Sequence, residues 1–405
     1  MDGTGTAAFP VTQTMNRNLP QLSVLILSSE YPPWIEGGLG TYVHGLAKFL
    51  AKKNVSVTVL VLGNSKKEYY RESAGIKIYK PALTASVKNS YADWIAAANL
   101  GMFQYASMLS QKESFSIIHA HDWLVSGAAS ALKKLLAIPL VSTLHSTETA
   151  RKRTSSFMPE GGIVSWERQL LQYSDKVIVC TKEMEQEACS VLRGCPTVVI
   201  PAGIDPETLE EEKAVSSINT PYLLSYGRLV PEKGFEMLLD SFAELKKTEF
   251  NLHLVIGGKG PLYIPLTKQA EELGIQESIT FTGFLNWKER NYLLRRAAAA
   301  IFPSLYEPFG LSAVESMYKG TPTIASNVGG YRETVRDGQT GILFQAGSVA
   351  SLTEGMAKLL NQPLLSHQLG KNVKAFTVDH YHWQEIIAEI IEIYLQQILT
   401  EEKRN

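Results

Sequence analysis

The chain has 405 residues, long for one hydrophobic core, so two domains with a cleft between them are expected. A composition of 45% hydrophobic and 20% charged residues is that of an ordinary globular protein and excludes wholesale disorder. Thirty-nine basic residues against forty acidic ones leave a formal charge of −1, so nothing in the overall balance points to a nucleic-acid partner.

Residues 1–20 lack the apolar core of a signal peptide and read as a flexible leader. No later apolar run approaches the ~20 residues needed to cross a bilayer, which points to a cytoplasmic protein without a transmembrane segment. Cys180, Cys189 and Cys195 are odd in number and have no zinc-type spacing; they read as buried or semi-buried thiols in a reducing compartment.

The run 22–27 is almost wholly apolar, as a strand buried on both faces of a parallel sheet would be. A loop broken by proline and glycine follows at 30–40, and Thr41 then caps a helix to Lys52 with Val43, Leu46, Ala47 and Leu50 inward. Strand, glycine loop and helix make a phosphate-binding arrangement, although such loops also close many strand-to-helix connections for steric reasons alone. Strands at 55–62, 77–79, 117–123, 140–144, 176–180 and 197–200, with helices at 91–109, 126–136 and 164–173, complete a doubly wound α/β domain; 146–160 is polar. His119 and His121, at a strand end, are expected to face opposite sides, one the cleft and one the core. They have no third partner for a metal.

Residues 201–205 and the acids at 207–212 interrupt that order, and the polar run from there to Thr220 has the character of an exposed linker. A second alternation follows, with strands at 222–226, 252–256, 278–282, 299–302, 323–326 and 341–344 and helices at 235–246, 266–273, 287–297, 311–319 and 349–360. From Trp383 on, Ile386, Ile387, Ile390, Tyr394 and Ile398 recur at helical spacing, as in a helix packed on the body. The domains are therefore placed at 21–200 and 201–380, with 381–405 joining the first.

Chemistry concentrates in the second domain. Between Pro303 and Glu315 a loop feeds a helix whose first amides lack internal partners and can hold an anion, while Glu307 and Glu315 accept hydrogen bonds from hydroxyls. That combination suits a phosphorylated sugar. Arg228 and Lys233 follow the first strand of the same domain, where they either neutralise a diphosphate or stand as two solvated cations. The glycine-rich loop 257–261 has room for a base or ribose, and 327–330 reads as turn chemistry.

Taken together, Glu-Pro-Phe-Gly-Leu-Ser-Ala-Val-Glu (307–315), Gly-Arg-Leu-Val-Pro-Glu-Lys-Gly (227–234) and Gly-Gly-Leu-Gly (37–40) resemble retaining glycosyltransferase family 4, and the likeness extends from Val24 to about Trp383. The resemblance implies the GT-B fold: an α/β protein of two facing Rossmann-like doubly wound domains, donor nucleotide on the C-terminal one, acceptor on the N-terminal one, and a final helix crossing back. It implies that Arg228 and Lys233 hold the donor diphosphate, that Glu307 contacts the transferred sugar and that Glu315 contacts the ribose. The amides of Phe309, Gly310 and Leu311 would complete the phosphate cradle, Gly38 would approach from the other domain, and His121 would lie near the sugar. The implied activity is hexosyl transfer from a nucleotide-diphosphate sugar, most often UDP-linked, to an acceptor hydroxyl, by front-face attack with retention and with no metal or other cofactor.

Acceptor, linkage and oligomeric state stay open. A GT-B nucleotide-sugar epimerase shares the fold and the donor site, a non-catalytic nucleotide-sugar-binding protein shares the donor site, and a hydrolase using Glu307 and Glu315 would leave Arg228 and Lys233 unexplained. Glycogen and starch synthases are similar in the His-Asp-Trp segment but typically carry a lysine just before the glycine loop, where this chain has Ile35 and Glu36; this speaks against an ADP-glucose-using polymer synthase. Tyr31, Trp34 and Trp123 either stack on an acceptor ring or belong to the core. The basic run Arg151–Arg153 is the sole hint of peripheral membrane contact.

Overall fold

Two mostly parallel sheets follow one another along the chain in a computed structural model that describes residues 22–83, 90–153, 161–214, 218, 220–248 and 251–404. The expected leader at 1–20 lies outside the described residues. The first sheet contains β1 (Ser23–Ser28), β2 (Ser56–Val61), β3 (Tyr69–Ser73), β4 (Ile76–Lys80), β5 (Ile117–His121), β6 (Leu140–Leu144), β7 (Lys176–Val179) and β8 (Thr197–Val199), in the order β3-β4-β2-β1-β5-β6-β7-β8. The second contains β9 (Tyr222–Tyr226), β10 (His253–Gly257), β11 (Ile279–Gly283), β12 (Ala299–Phe302), β13 (Thr323–Ser326) and β14 (Ile342–Phe344), in the order β11-β10-β9-β12-β13-β14. Helices cover both faces, which is why the central strands are apolar throughout. Each sheet reverses its winding beside its first strand: β1 lies between β2 and β5, and β9 between β10 and β12. Ligands bind at such crossover points, outside the strands' carboxyl ends.

Several local expectations change. Strand β3 pairs antiparallel with β4 through a turn at Ala74 (φ 52°) and Gly75 (φ 76°), without the Asn-Gly or Asp-Gly signal that marks a tight hairpin. The first helix is Gly38–Lys52, so Thr41 lies inside it and does not cap it. Glu30 serves its start instead: one carboxylate oxygen accepts from the amides of Glu36 (3.0 Å), Gly37 (3.0 Å) and Gly40 (3.3 Å). The predicted inward residues Val43, Leu46, Ala47 and Leu50 are fully buried. Helices Lys182–Val191 and Pro363–Tyr381 were not expected from periodicity.

The acidic stretch at 207–212 is pinned to the body by ion pairs even where its side chains reach solvent. Glu207 pairs with Lys48 and Lys52, Glu212 pairs with Arg295, Arg296 and Lys319, and the buried Asn291 amide donates to the carbonyls of Thr208 and Glu211. Cys180 and Cys195 are buried, whereas Cys189 is exposed on the outer side of its helix, contrary to expectation.

The final helix, Trp383–Glu402, lies on helix Gly38–Lys52 and so returns to the first domain. Ile204 and the 381–383 segment exchange backbone hydrogen bonds where the two crossings meet. Trp383, 1% exposed, occupies space that a Cβ on Gly45 or Gly203 would need, at 2.1 and 2.3 Å. No helix among the described residues is long and apolar enough to cross a membrane.

Candidate active site

At the second crossover the loops after β9, β10, β12 and β13 brace one another. The loop after β9 is held against the one after β10 by Gly227 N–H to the Gly257 carbonyl (2.9 Å) and Leu229 N–H to the Lys259 carbonyl (2.8 Å). Gly234 (φ 67°) sits so close to Pro303 that a Cβ would meet its carbonyl oxygen at 2.2 Å. Gly329 (φ 46°) is placed likewise against the Glu307 carbonyl, at 2.1 Å, and Gly330 N–H donates to that carbonyl at 2.7 Å. Asn327–Gly330 is thus turn chemistry that supports the Glu307 loop, and a side chain at either glycine would force the loops apart.

This bracing brings the expected charged residues together. Lys233 Nζ lies 2.7 Å from Glu307 Oε2, and the same oxygen accepts from the Tyr331 hydroxyl (3.1 Å) and the Ser304 hydroxyl (3.4 Å). A small cavity beside this group is lined by Ser225, Tyr226, Lys233, Ser304, Ser312 and Glu307 among others. Arg228 is half-exposed, 3.6 Å from Glu232. A Cβ on Gly37 would stand 3.9 Å from Arg228 Cδ, so the first domain's glycine loop faces the second domain's arginine across the cleft. Gly38 has open space in front of it. Gly310, in the left-handed region at φ 91°, starts helix Leu311–Tyr318 without a side-chain cap. Among the described residues, the amides of Phe309, Gly310 and Leu311 donate to no protein acceptor.

Glu315 faces inward. Its carboxylate is bound by Arg290 (2.8 Å) and by the Tyr226 hydroxyl (3.2 Å); burial raises its pKa while Arg290 opposes the rise. Arg290, Tyr226 and Tyr331 escaped sequence reasoning. Arg290 comes from a helix whose visible signal is a capping box, Asn286 with Glu289, and nothing in its spacing announces a partner 25 residues later.

The first domain's crossover differs. His119 and His121 share one face, with ring centroids 4.2 Å apart, because residues two apart on a strand point the same way; the expectation of opposite faces was wrong. His119 is bonded to the Tyr394 hydroxyl of the final helix and, at 2.7 Å, to Thr143. His121 is wholly buried, with Nδ1 3.2 Å from His145 Nε2 and Nε2 without a partner; His145, half-buried, is the outermost of the three. Burial lowers all three pKa values, to about 3 for His119 and His145, so the rings are neutral at pH 7. Asp122, at φ 64° immediately after β5, is also buried, which pushes its carboxyl up to about 7 against the opposing pull of Arg151. Tyr31 and Trp123 are core residues, 2% and 5% exposed, and Trp34 lies under the Lys80 ammonium at 4.2 Å. Arg151 and Lys152 of the basic run turn to the buried Glu148.

Residues 206–376 match the family described as Glycosyl transferases group 1, and residues 36–208 match Glycosyltransferase Family 4. The chain is 33% identical over 355 residues to the uncharacterized glycosyltransferase YqgM of Bacillus subtilis (strain 168), covering 87% of this chain and 90% of that protein. It is 30% identical over 394 residues to a glycogen synthase of Mycobacterium tuberculosis, covering 92% and 94% respectively. Among solved structures, the sucrose-phosphate synthase of Thermosynechococcus elongatus superposes with a TM-score of 0.83 at 22% identity, over 94% of this chain and all of that one. Anabaena Alr3699/HepE, solved in complex with UDP and glucose, gives 0.73 at 18%, over 93% of this chain and all of that one. With the GT-B architecture in place and sequence likeness running through both domains, the chain belongs to the family 4, group 1 glycosyltransferases and is a sugar-transferring enzyme.

Proposed function

We propose that the enzyme moves a hexose from a nucleoside-diphosphate sugar, UDP-linked, to an acceptor hydroxyl with retention of anomeric configuration and without a metal ion. The observation that carries the reading is the Lys233–Glu307 pair set beside the unengaged amides of Phe309, Gly310 and Leu311, with Arg228 at the rim. A lysine, an arginine and a helix N-terminus in one crevice suit a diphosphate. The carboxylate that Lys233 neutralises in the ligand-free protein suits sugar hydroxyls. HepE, of the same fold, is solved with UDP and glucose, which favours the same donor chemistry here.

Charge then accounts for the chemistry. Cleaving the bond from the anomeric carbon to phosphate leaves a nucleoside diphosphate; Lys233, Arg228 and the loop amides stabilise that leaving group as its charge develops. The acceptor hydroxyl attacks from the same face and passes its proton to the departing phosphate oxygen, so no enzymic nucleophile is required. Glu307 orients the sugar, with Tyr331 and Ser304 fixing its carboxylate; Glu315 and Arg290 lie toward the ribose. His145 borders the sugar from the first domain, with His121 supporting it from behind. The acceptor enters from that domain, past Gly37 and Gly38. Three unpaired cysteines suit a cytoplasmic enzyme.

A donor panel scored by released nucleoside diphosphate tests the reading, with the product anomer assigned by NMR. Release from a UDP-sugar that persists in EDTA and yields the donor's anomeric configuration is expected. Inversion, or a strict need for added divalent ion, overturns the mechanism.

A further inference from the structure

We propose that Tyr306 and Glu187 form an interdomain latch that sets Glu307 in its working position only when the two domains are closed. The inference rests on the donor-site reading above and adds two positioning residues to it.

Glu307 is held by its own domain, through Lys233, Ser304 and Tyr331. Its two neighbours are held by the other domain. The Tyr306 hydroxyl donates to Glu187 Oε2 at 2.9 Å and accepts from the Thr147 amide at 3.3 Å, while Thr147 Oγ1 donates to the same carboxylate oxygen at 3.0 Å. On the other side, the Pro308 carbonyl accepts from Thr181 Oγ1 at 3.0 Å. Tyr306, Glu187 and Thr147 are 8%, 5% and 1% exposed, so water is excluded from the contact. The backbone of the same loop is tied to the Arg228–Lys233 loop, because Leu305 N–H donates to the Glu232 carbonyl at 2.8 Å. The phenol is therefore wired to both parts of the donor site.

Opening the cleft returns Tyr306 and Glu187 to water, so the contact acts on the equilibrium between open and closed forms rather than on either domain's own fold. A hydrogen bond to a charged, desolvated acceptor shifts such an equilibrium by about 10- to 100-fold. A second contact across the same interface reports closure independently. The Glu333 carboxylate accepts from the amides of Lys182 (3.0 Å) and Glu183 (3.4 Å), at the start of the helix that carries Glu187.

The test uses the full-length enzyme as Tyr306→Phe, Glu187→Gln and the double variant, with Lys233→Ala alongside. Each single latch variant is expected to lower kcat about 10- to 100-fold with little change in donor KM, and the double variant to be no worse than the weaker single. Hydrogen exchange at the Lys182 and Glu183 amides in the presence of UDP should accelerate in both singles. Those amides do not touch Tyr306, so a merely local packing defect leaves them protected. Wild-type kcat in both singles, multiplicative losses in the double, or unchanged exchange at 182 and 183 overturns the latch. If Lys233→Ala turns over normally, the donor-site reading falls and the latch with it; if only Lys233→Ala is impaired, the latch alone falls.

Discussion

At the first sheet's crossover, His119, His121 and His145 lie ring against ring and neutral, the first two fully buried, while at the second sheet's crossover Lys233, Glu307, Arg290 and Glu315 form two ion pairs at the edge of the cleft. The two edges share a topology and differ in chemistry. At the first, His119 binds the strands to the final helix through Tyr394; at the second, each carboxylate is paired with a cation, and the proposed function has a ligand exchange for the Lys233–Glu307 pair. Topology selects the place where a site can form, and under the proposed function side-chain charge directs the anionic end of the donor to the second domain's edge.

If that contrast holds, substitutions at His119 and at the final helix it is bonded to should cost stability, and those at the second edge should cost turnover. The largest effect is expected for Trp383→Ala, which empties the space between Gly45 and Gly203. It should lower unfolding free energy by about 3–5 kcal/mol in denaturant titration, with UDP affinity by calorimetry retained under native conditions; a loss under 1 kcal/mol would break the contrast. Next come Lys233→Ala and Glu307→Ala, each expected to cut kcat/KM at least ~100-fold, roughly 2.7 kcal/mol, with far smaller effects on folding. Near-normal turnover in both defeats the site assignment.

Acidification should destabilise the first domain through its buried histidines. Folded His119 stays neutral down to about 3, whereas an unfolded histidine takes a proton near 6.5. The unfolded state therefore binds more protons between those values; stability is complete above about 6.5 and declines as pH falls toward 3, by about 1.4 kcal/mol per unit for each such histidine. His119→Gln should flatten that slope in denaturant midpoints measured from pH 7 to pH 4. The smallest effect is expected for Glu232→Gln, since the Arg228–Glu232 pair is half-exposed at 3.6 Å; a change within about 0.5 kcal/mol in unfolding free energy sharpens the view of Arg228 as a group kept free for ligand.

What could be read in advance follows the range of the interactions. Apolar runs placed most of the strands, and helical spacing placed Val43, Leu46, Ala47 and Leu50 because burial of a stripe is a local property of the helix. Arg228, Lys233 and Glu307 were legible because two short loops carry them to one crossover. Arg290 and Tyr331 were not, since each meets its carboxylate only through tertiary packing. The histidine error had a different source: a period of two returns the side chain to the same face, so His119 and His121 had to be neighbours. Strand β3 went unread because an Ala-Gly turn between tyrosines and isoleucines carries little turn signal.

The seating of Trp383 also has a consequence for synthesis. Trp383, Ile386, Ile387, Ile390 and Tyr394 are packed into the core that Val43, Leu46 and Leu50 begin. At a ribosomal rate of about 5–20 residues per second, the chain between Val199 and Trp383 takes roughly 10–40 s to emerge. Throughout that interval the first domain waits with the Gly45 and Gly203 surface uncovered, and the second domain can fold before the first is finished. The first domain, begun first, is thus completed last.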